Sequence, residues 1–194
     1  MTAQIQPQSL NINTLIVALL ASLLWAGHAK AHLMVEQTGV LNIVGDDVFM
    51  ALSIPVSALE NVDQDDDQEV SLFEFNSRRN EIIAQIQTAI ALETESVSAD
   101  LHDLRLVPVR PHGHDSVYVS QVIVMGRFTL TGSIDALNFR LALFGKSPNE
   151  RSMKITAKHP HSDTESVVVL TPSAPNGTLF ASTVAQQSQA SGRP

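Results

Sequence analysis

The sequence contains no cysteine, which excludes disulfides, thiolate zinc sites, iron–sulfur clusters, cysteine nucleophiles and cysteine-linked lipid anchors. Any bound metal ion must therefore be held by oxygen or imidazole ligands. Aromatic residues make up only 5% of the chain, and its one tryptophan, Trp25, lies in an apolar N-terminal segment. The core of the folded domain must therefore consist mainly of Val, Ile, Leu, Phe and Met side chains.

Basic side chains are also few. The 194 residues include 12 Lys and Arg against 20 Asp and Glu, so the formal net charge is −8. This charge disfavours binding to nucleic acids and anionic membranes, and it favours cations as ligands. The sequence also lacks a G-x-S-x-G nucleophile elbow, a phosphate-binding glycine loop and an H-E-x-x-H motif. We therefore expect a protein that is not an enzyme and has no nucleic-acid partner.

An apolar segment near the N-terminus, Leu15 to Gly27 (LIVALLASLLWAG), precedes the sequence Ala29-Lys30-Ala31. The segment is too short to cross a hydrocarbon core of ~30 Å comfortably, and an A-x-A sequence behind such a segment is typical of a signal-peptidase site. We therefore interpret residues 1–31 as a cleaved signal peptide, which predicts a periplasmic or secreted protein with no membrane association after cleavage. An uncleaved anchor or a buried helix is the alternative interpretation.

The mature chain is predicted to form one β-rich domain over residues 32–180, followed by a disordered tail over residues 181–194. Val40 to Ile54 contains two apolar segments around Gly45-Asp46-Asp47, a pattern typical of a β-hairpin. Five further β-branched segments are separated by turn residues: Leu104 to Val109, Val117 to Leu130, Leu137 to Phe144, Met153 to Ala157 and Ser166 to Leu170. The predicted fold class is α+β, a small and mostly antiparallel β-sandwich of about seven strands.

Two helices are predicted between the hairpin and the later strands. Pro55 to Val62 suits a short helix, because proline is tolerated in the first turn. Apolar residues at three- and four-residue spacing predict one long amphipathic helix from about Leu72 to Leu92. The acidic segment Asp63 to Glu74 (DQDDDQEVSLFE) lies between them.

This acidic segment resembles the EF-hand calcium loop, so residues 55–92 are predicted to form an EF-hand-like helix–loop–helix. The resemblance implies a single Ca²⁺ site, in a chain that shows one hand where EF-hands usually pair. Its ligand positions 1, 3, 5, 7, 9 and 12 are occupied by Asp63, Asp65, Asp67, Glu69, Ser71 and Glu74. Glu69 would offer its backbone carbonyl, Ser71 would act through a water, and Glu74 would bind with both carboxylate oxygens. Independently of the family, carboxylates crowded in one loop repel one another, and a hard divalent cation removes that cost.

The sixth loop position departs from the family pattern, because Gln68 stands where glycine is usual. A residue with a Cβ in the left-handed region costs on the order of 1–2 kcal/mol, so the site should be weaker than one with glycine. A single hand packed against a β-domain predicts a structural or weakly sensing site with a Kd of about 10⁻⁴ to 10⁻³ M. An alternative reading is a solvated acidic turn in which Ser71 and Glu74 form a capping box for the following helix.

Histidines form a second candidate metal site. Cleavage after Ala31 would leave His32 at the N-terminus, where its amine and imidazole can chelate one ion together. The arrangement resembles the copper site of CopC-type carriers and lytic polysaccharide monooxygenases, which implies Cu²⁺ or Ni²⁺ binding as an alternative function. Two H-x-H pairs could supply further ligands, although their Pro and Gly neighbours also suit exposed loops: His112, His114, His159 and His161.

A looser resemblance is to the exported N-terminal region of HupE/UreJ-like proteins, which are membrane proteins linked to nickel handling. It rests on His32, on the segment LSIPVSALENVD that leads into the acidic loop, and on the later LALFG. The membrane helices that follow in that family are missing from this sequence. The resemblance therefore implies only the order of hairpin, EF-hand-like segment and sandwich.

Overall fold

The computed structural model describes residues 36–95, 97–111, 117–130, 136–158 and 165–180. The predicted signal peptide and the predicted tail lie outside these ranges. No helix in the described ranges combines the length and the apolar character needed to span a membrane.

Ten strands are found within the described residues: β1 (Thr38–Val44), β2 (Asp47–Pro55), β3 (Ile90–Glu93), β4 (Ser98–Ala99), β5 (Leu101–Val109), β6 (Gln121–Thr129), β7 (Leu137–Leu141), β8 (Met153–Lys158), β9 (Glu165–Leu170) and β10 (Asn176–Leu179). The helices of the same ranges are α1 (Leu72–Ser77) and α2 (Arg79–Ala89), with 3₁₀ helices at Val56–Ala58 and Pro148–Glu150. The α+β class with a sheet-rich core is confirmed.

The strands form two sheets. The larger has the order β5-β6-β2-β1-β8-β9 and the smaller has the order β10-β7-β3-β4. Every pairing is antiparallel except that of β1 with β8. The predicted hairpin joins β1 to β2 through Gly45 and Asp46, and Gly45 adopts the positive φ of 60° that such a turn needs.

One hydrophobic core lies between the two sheets. The larger sheet contributes alternate residues such as Leu41 and Leu52, and the smaller contributes Leu92 and Phe139, all fully buried. The helices join the same core, because Phe75 of α1 and two isoleucines of α2 are also fully buried. The acidic loop is thus connected directly to the core through α1.

The structure corrects the predicted long helix. The helical segment is interrupted at Arg78, where φ is −97° and ψ is 10°. The Ser77 hydroxyl donates to the Glu74 carbonyl over 2.9 Å, a local bond that competes with regular helical pairing. After Ala89 the chain becomes β3, because Ile90 and Leu92 pair with strand β7. Sheet pairing and burial here outweigh the helical spacing of the apolar residues.

The predicted helix from Pro55 to Val62 is also shorter than expected. It is one 3₁₀ turn, Val56–Ala58, after which Leu59 is extended and Asn61 has a positive φ of 57°. The first helix of the predicted helix–loop–helix is therefore reduced to a single 3₁₀ turn. The acidic loop is preceded by a sheet strand and one helical turn, and it is followed by a short α-helix.

Candidate metal site

The acidic loop, defined here as residues 63–71, connects the first 3₁₀ helix to α1. Six consecutive side chains in it, from Gln64 to Glu69, are exposed, whereas Val70 near its end is 8% exposed and belongs to the core. The loop therefore projects its carboxylates into solvent while its last residues are fixed to the domain.

Asp63 organises the turn of this loop. One of its carboxylate oxygens accepts a hydrogen bond from the backbone N–H of Asp66 at 2.8 Å, and the other accepts from the N–H of Gln68 at 2.9 Å. Both donors belong to residues in the left-handed region, with φ of 60° at Asp66 and 71° at Gln68. The side chain of the first loop residue thus holds the chain in the sharp turn that the sixth position was predicted to require.

Three carboxylates converge above this turn. Asp63, Asp65 and Asp67 each place one oxygen so that all three oxygens lie within 4.8 Å of one another. Asp67 is held in place by a 2.8 Å bond from the backbone N–H of Glu69. The ion pairs found in the described parts of the chain do not include any of these residues. Within the described residues, the cluster is therefore a concentration of negative charge that no ion pair neutralises.

The pKa of Asp65 reflects this crowding. Although Asp65 is exposed overall, partial desolvation within the loop raises its pKa above the usual value, and the charges of Asp67, Glu74 and Asp63 raise it further. A backbone hydrogen bond from Asp67 acts in the opposite direction. Ionised Asp65 thus destabilises the loop in the absence of a cation.

Glu74 ties the two ends of the loop together. Its Oε1 accepts from the backbone N–H of Gln64 at 2.8 Å, and its Oε2 accepts from both the N–H and the hydroxyl of Ser71 at 2.8 Å. The Ser71 hydroxyl in turn accepts from the Glu74 N–H, which completes the predicted capping box of α1. These hydrogen bonds lower the pKa of Glu74, so it stays ionised although it is only 8% exposed.

The structure therefore divides the predicted ligands into two groups. Asp63, Asp65 and Asp67 come together as a site for a cation, whereas Ser71 and Glu74 are engaged with each other. Glu69 is exposed and uses its N–H on Asp67. Coordination by both oxygens of Glu74 would require it to give up its bonds to Gln64 and Ser71.

The end of the loop is attached to the sheet in a way that the sequence did not indicate. The Val70 carbonyl accepts from the N–H of Val119 at 2.7 Å, and Ser71 forms an antiparallel bridge with Tyr118. Tyr118 and Val119 lie just before β6, which begins at Gln121, so this backbone pairing comes from the β domain rather than from a second hand. Only the apolar character of Val70 could have suggested a pairing here.

The predicted histidine ligands His32, His112, His114, His159 and His161 lie outside the described residues. Their role in binding a transition metal stays a prediction. A scan against models of known protein families finds no match, and a search among curated proteins finds none either.

The left-handed conformation of Gln68 makes a specific prediction. We expect Gln68→Gly to raise the free energy of unfolding without calcium by about 0.5–1 kcal/mol, since the strain at a positive φ exceeds the entropic cost of glycine. Glu69→Gly is the matched control, because Glu69 has no positive φ, and it should lose about 0.5–1 kcal/mol. Chemical denaturation measures both values. Equal losses in the two variants would show that Gln68 is not strained.

Proposed function

We propose that the protein is an exported calcium-binding protein whose acidic loop binds one Ca²⁺ ion in a structural or weakly sensing role. The observation that carries the proposal is the convergence of Asp63, Asp65 and Asp67 within 4.8 Å, over a turn that Asp63 itself organises. None of the three is ion-paired in the part of the chain that the structure describes. An all-oxygen donor set of this kind suits a hard cation.

Calcium is favoured over magnesium because of the form of the loop. Ca²⁺ accepts six to eight oxygens in flexible arrangements, whereas Mg²⁺ requires a near-ideal octahedron and keeps several waters. Besides the three aspartates, the Glu69 carbonyl, a water held by Ser71 and the Glu74 carboxylate are the proposed ligands. Because Glu74 must exchange existing hydrogen bonds before it can bind, part of the coordination energy is lost, which supports weak affinity.

The ion would act mainly on stability. Bound Ca²⁺ offsets the repulsion among the loop carboxylates, and the loop is continuous with α1, whose Phe75 is fully buried in the core. It is also joined to the strand that begins at Gln121, through the bond between Val70 and Val119. Calcium would therefore stabilise the junction between the helices and the larger sheet.

A calcium titration of the metal-free protein tests the proposal. We expect a single site with a Kd of about 10⁻⁴ to 10⁻³ M. At a free calcium concentration of about 100 times Kd, the stabilisation is about 2.7 kcal/mol, which corresponds to a rise in Tm of roughly 5–10 °C. Mg²⁺ at the same concentration should give a clearly smaller rise. A calcium response that Mg²⁺ reproduces in full would contradict a specific site and indicate general screening of charge.

A further inference from the structure

Exposed apolar side chains are concentrated on one surface of the domain. The described residues include eight large hydrophobic side chains that are exposed, and six of them lie on the larger sheet: Val40, Val44, Phe49, Val107, Val167 and Val169. Their chain neighbours, such as Leu41 and Leu106, are buried in the core. Because successive strand residues point to opposite faces, the six share the face of the sheet turned away from the core, called here the outer face.

The strand register brings these side chains together around a groove. Ala51 pairs with Val40 on one side and with Met125 on the other. Two residues further along the strand, and on the same face, Phe49 lies between Asn42 and Arg127. The small side chain of Ala51 leaves a shallow open groove of about 400 Å³ between its larger neighbours. An exposed apolar surface of this kind, interrupted by a groove, is typical of an interaction site.

The outer face is more basic than the chain as a whole. It carries four cationic side chains (Arg105, Arg127, Lys154 and Lys158) and three carboxylates (Asp47, Asp103 and Glu165), in a protein whose formal net charge is −8. Two of the carboxylates are used within the face, because Asp47 and Asp103 both pair with Arg127, at 2.8 and 3.0 Å.

The remaining cations are available to a partner. Among the ion pairs of the described ranges, none includes Arg105, Lys154 or Lys158. Arg105 lines the groove itself, on strand β5, and the two lysines lie on strand β8. The cations therefore stand on both sides of the apolar centre formed by Val40, Phe49 and Ala51.

We propose that the outer face binds an acidic amphipathic helix of a partner protein, with an apolar side chain in the groove and carboxylates at Arg105 and Lys154. Six strands spaced by ~4.8 Å span about 24 Å, which equals the length of a helix of about 16 residues. An anionic bilayer fits less well, because it would cover the whole outer face, including Glu165, and would approach a chain whose formal net charge is −8, whereas a single helix contacts only part of the face. A small ligand would stay largely solvated in so open a groove. This proposal does not depend on calcium binding.

Selection from a displayed library of random 16-residue helical peptides tests the proposal on the intact protein. We expect the selected peptides to carry net negative charge and apolar residues at i, i+3, i+4 and i+7.

Phe49→Gln and Arg105→Glu should each weaken binding of the selected peptides by about tenfold or more. Phe73→Gln and Arg151→Glu are matched controls, since both residues are exposed and lie outside the larger sheet, and they should leave affinity unchanged. Amide shifts induced by a selected peptide should map to β5, β6, β2, β1 and β8, the strands that carry Arg105, the groove and Lys154.

Four outcomes would overturn the proposal. The first is that the selected peptides bind the wild-type protein, Phe49→Gln and Phe73→Gln with equal affinity. The second is enrichment of cationic peptides. Binding of the protein to phosphatidylglycerol vesicles that is lost in Phe49→Gln would instead assign the face to a lipid surface. A wild-type dimer that becomes a monomer in Phe49→Gln would assign it to a second copy of the chain. Thermal melts of each variant confirm that it is folded.

Discussion

Asp63→Asn is expected to abolish calcium binding and also to destabilise the protein in the absence of calcium. The carboxylate of Asp63 accepts one backbone hydrogen bond on each oxygen, from Asp66 and from Gln68. An asparagine side chain has only one acceptor oxygen, so one of these N–H groups loses its partner. The loss of a single hydrogen bond corresponds to about 1 kcal/mol in the free energy of unfolding.

Asp65→Asn is the matched variant, because it removes the same charge from the same cluster. Asp65 accepts a backbone hydrogen bond from Asp67, and its raised pKa shows that its ionised form is disfavoured in the folded loop. We therefore expect Asp65→Asn to lose calcium binding but to be at least as stable as wild type without calcium. Melting of both variants with and without calcium separates the two roles. A fully retained calcium response in both variants would contradict the proposed site.

The sequence predicted the larger sheet well. The hairpin of β1 and β2, together with β5, β6, β8 and β9, agrees with the expected segments, because alternating β-branched and apolar residues mark a half-buried strand with period two. Turn residues such as Gly45 also mark where these strands end. Such signals are local, so they can be read without knowledge of the tertiary structure.

The smaller sheet was largely missed. Strands β3, β4 and β10 have only two to four residues each, too few for a periodic pattern to emerge. Ile90 and Leu92 also continue the helical spacing of α2, so the sequence alone favoured a helix there. Their pairing with Leu141 and Phe139 involves residues far away in the sequence, and only the folded structure supplies that partner.

The turn of the acidic loop could be predicted from the sequence, whereas its backbone pairing with the segment before β6 could not. Position six was expected to adopt a left-handed conformation, and Gln68 does so with φ of 71°. The capping box of Ser71 and Glu74 also followed from the sequence pattern. The bond from Val119 to Val70 did not, because no local pattern reveals which distant strand meets the loop. The short 3₁₀ helix before the loop shows that a loop pattern does not specify the element that precedes it.

Glu74→Gln, in the first turn of α1, is expected to destabilise the protein more than any of the single changes in the acidic loop. The Glu74 carboxylate accepts three hydrogen bonds from groups at both ends of the loop, at Gln64 and at Ser71. A glutamine amide has one accepting and one donating end, so one backbone N–H would face an N–H₂ group. We expect Tm without calcium to fall by more than it does in Ser71→Ala, for which the loss of the N-cap corresponds to about 1 kcal/mol and roughly 2–4 °C.

The calcium response of the same variant then decides how Glu74 acts. If Glu74 leaves the capping box to bind the ion with both oxygens, calcium should no longer raise the Tm of Glu74→Gln, as proposed. Glu81→Gln is the control, because Glu81 is an exposed residue of α2 that pairs only with Arg78 in the described structure, and it should keep the full response. A wild-type calcium response in Glu74→Gln would restrict the site to the three aspartates and leave Glu74 as a helix cap. Because Glu74→Gln lowers the starting Tm in either case, the shift caused by calcium, rather than the absolute Tm, is the measurement that distinguishes a ligand from a cap.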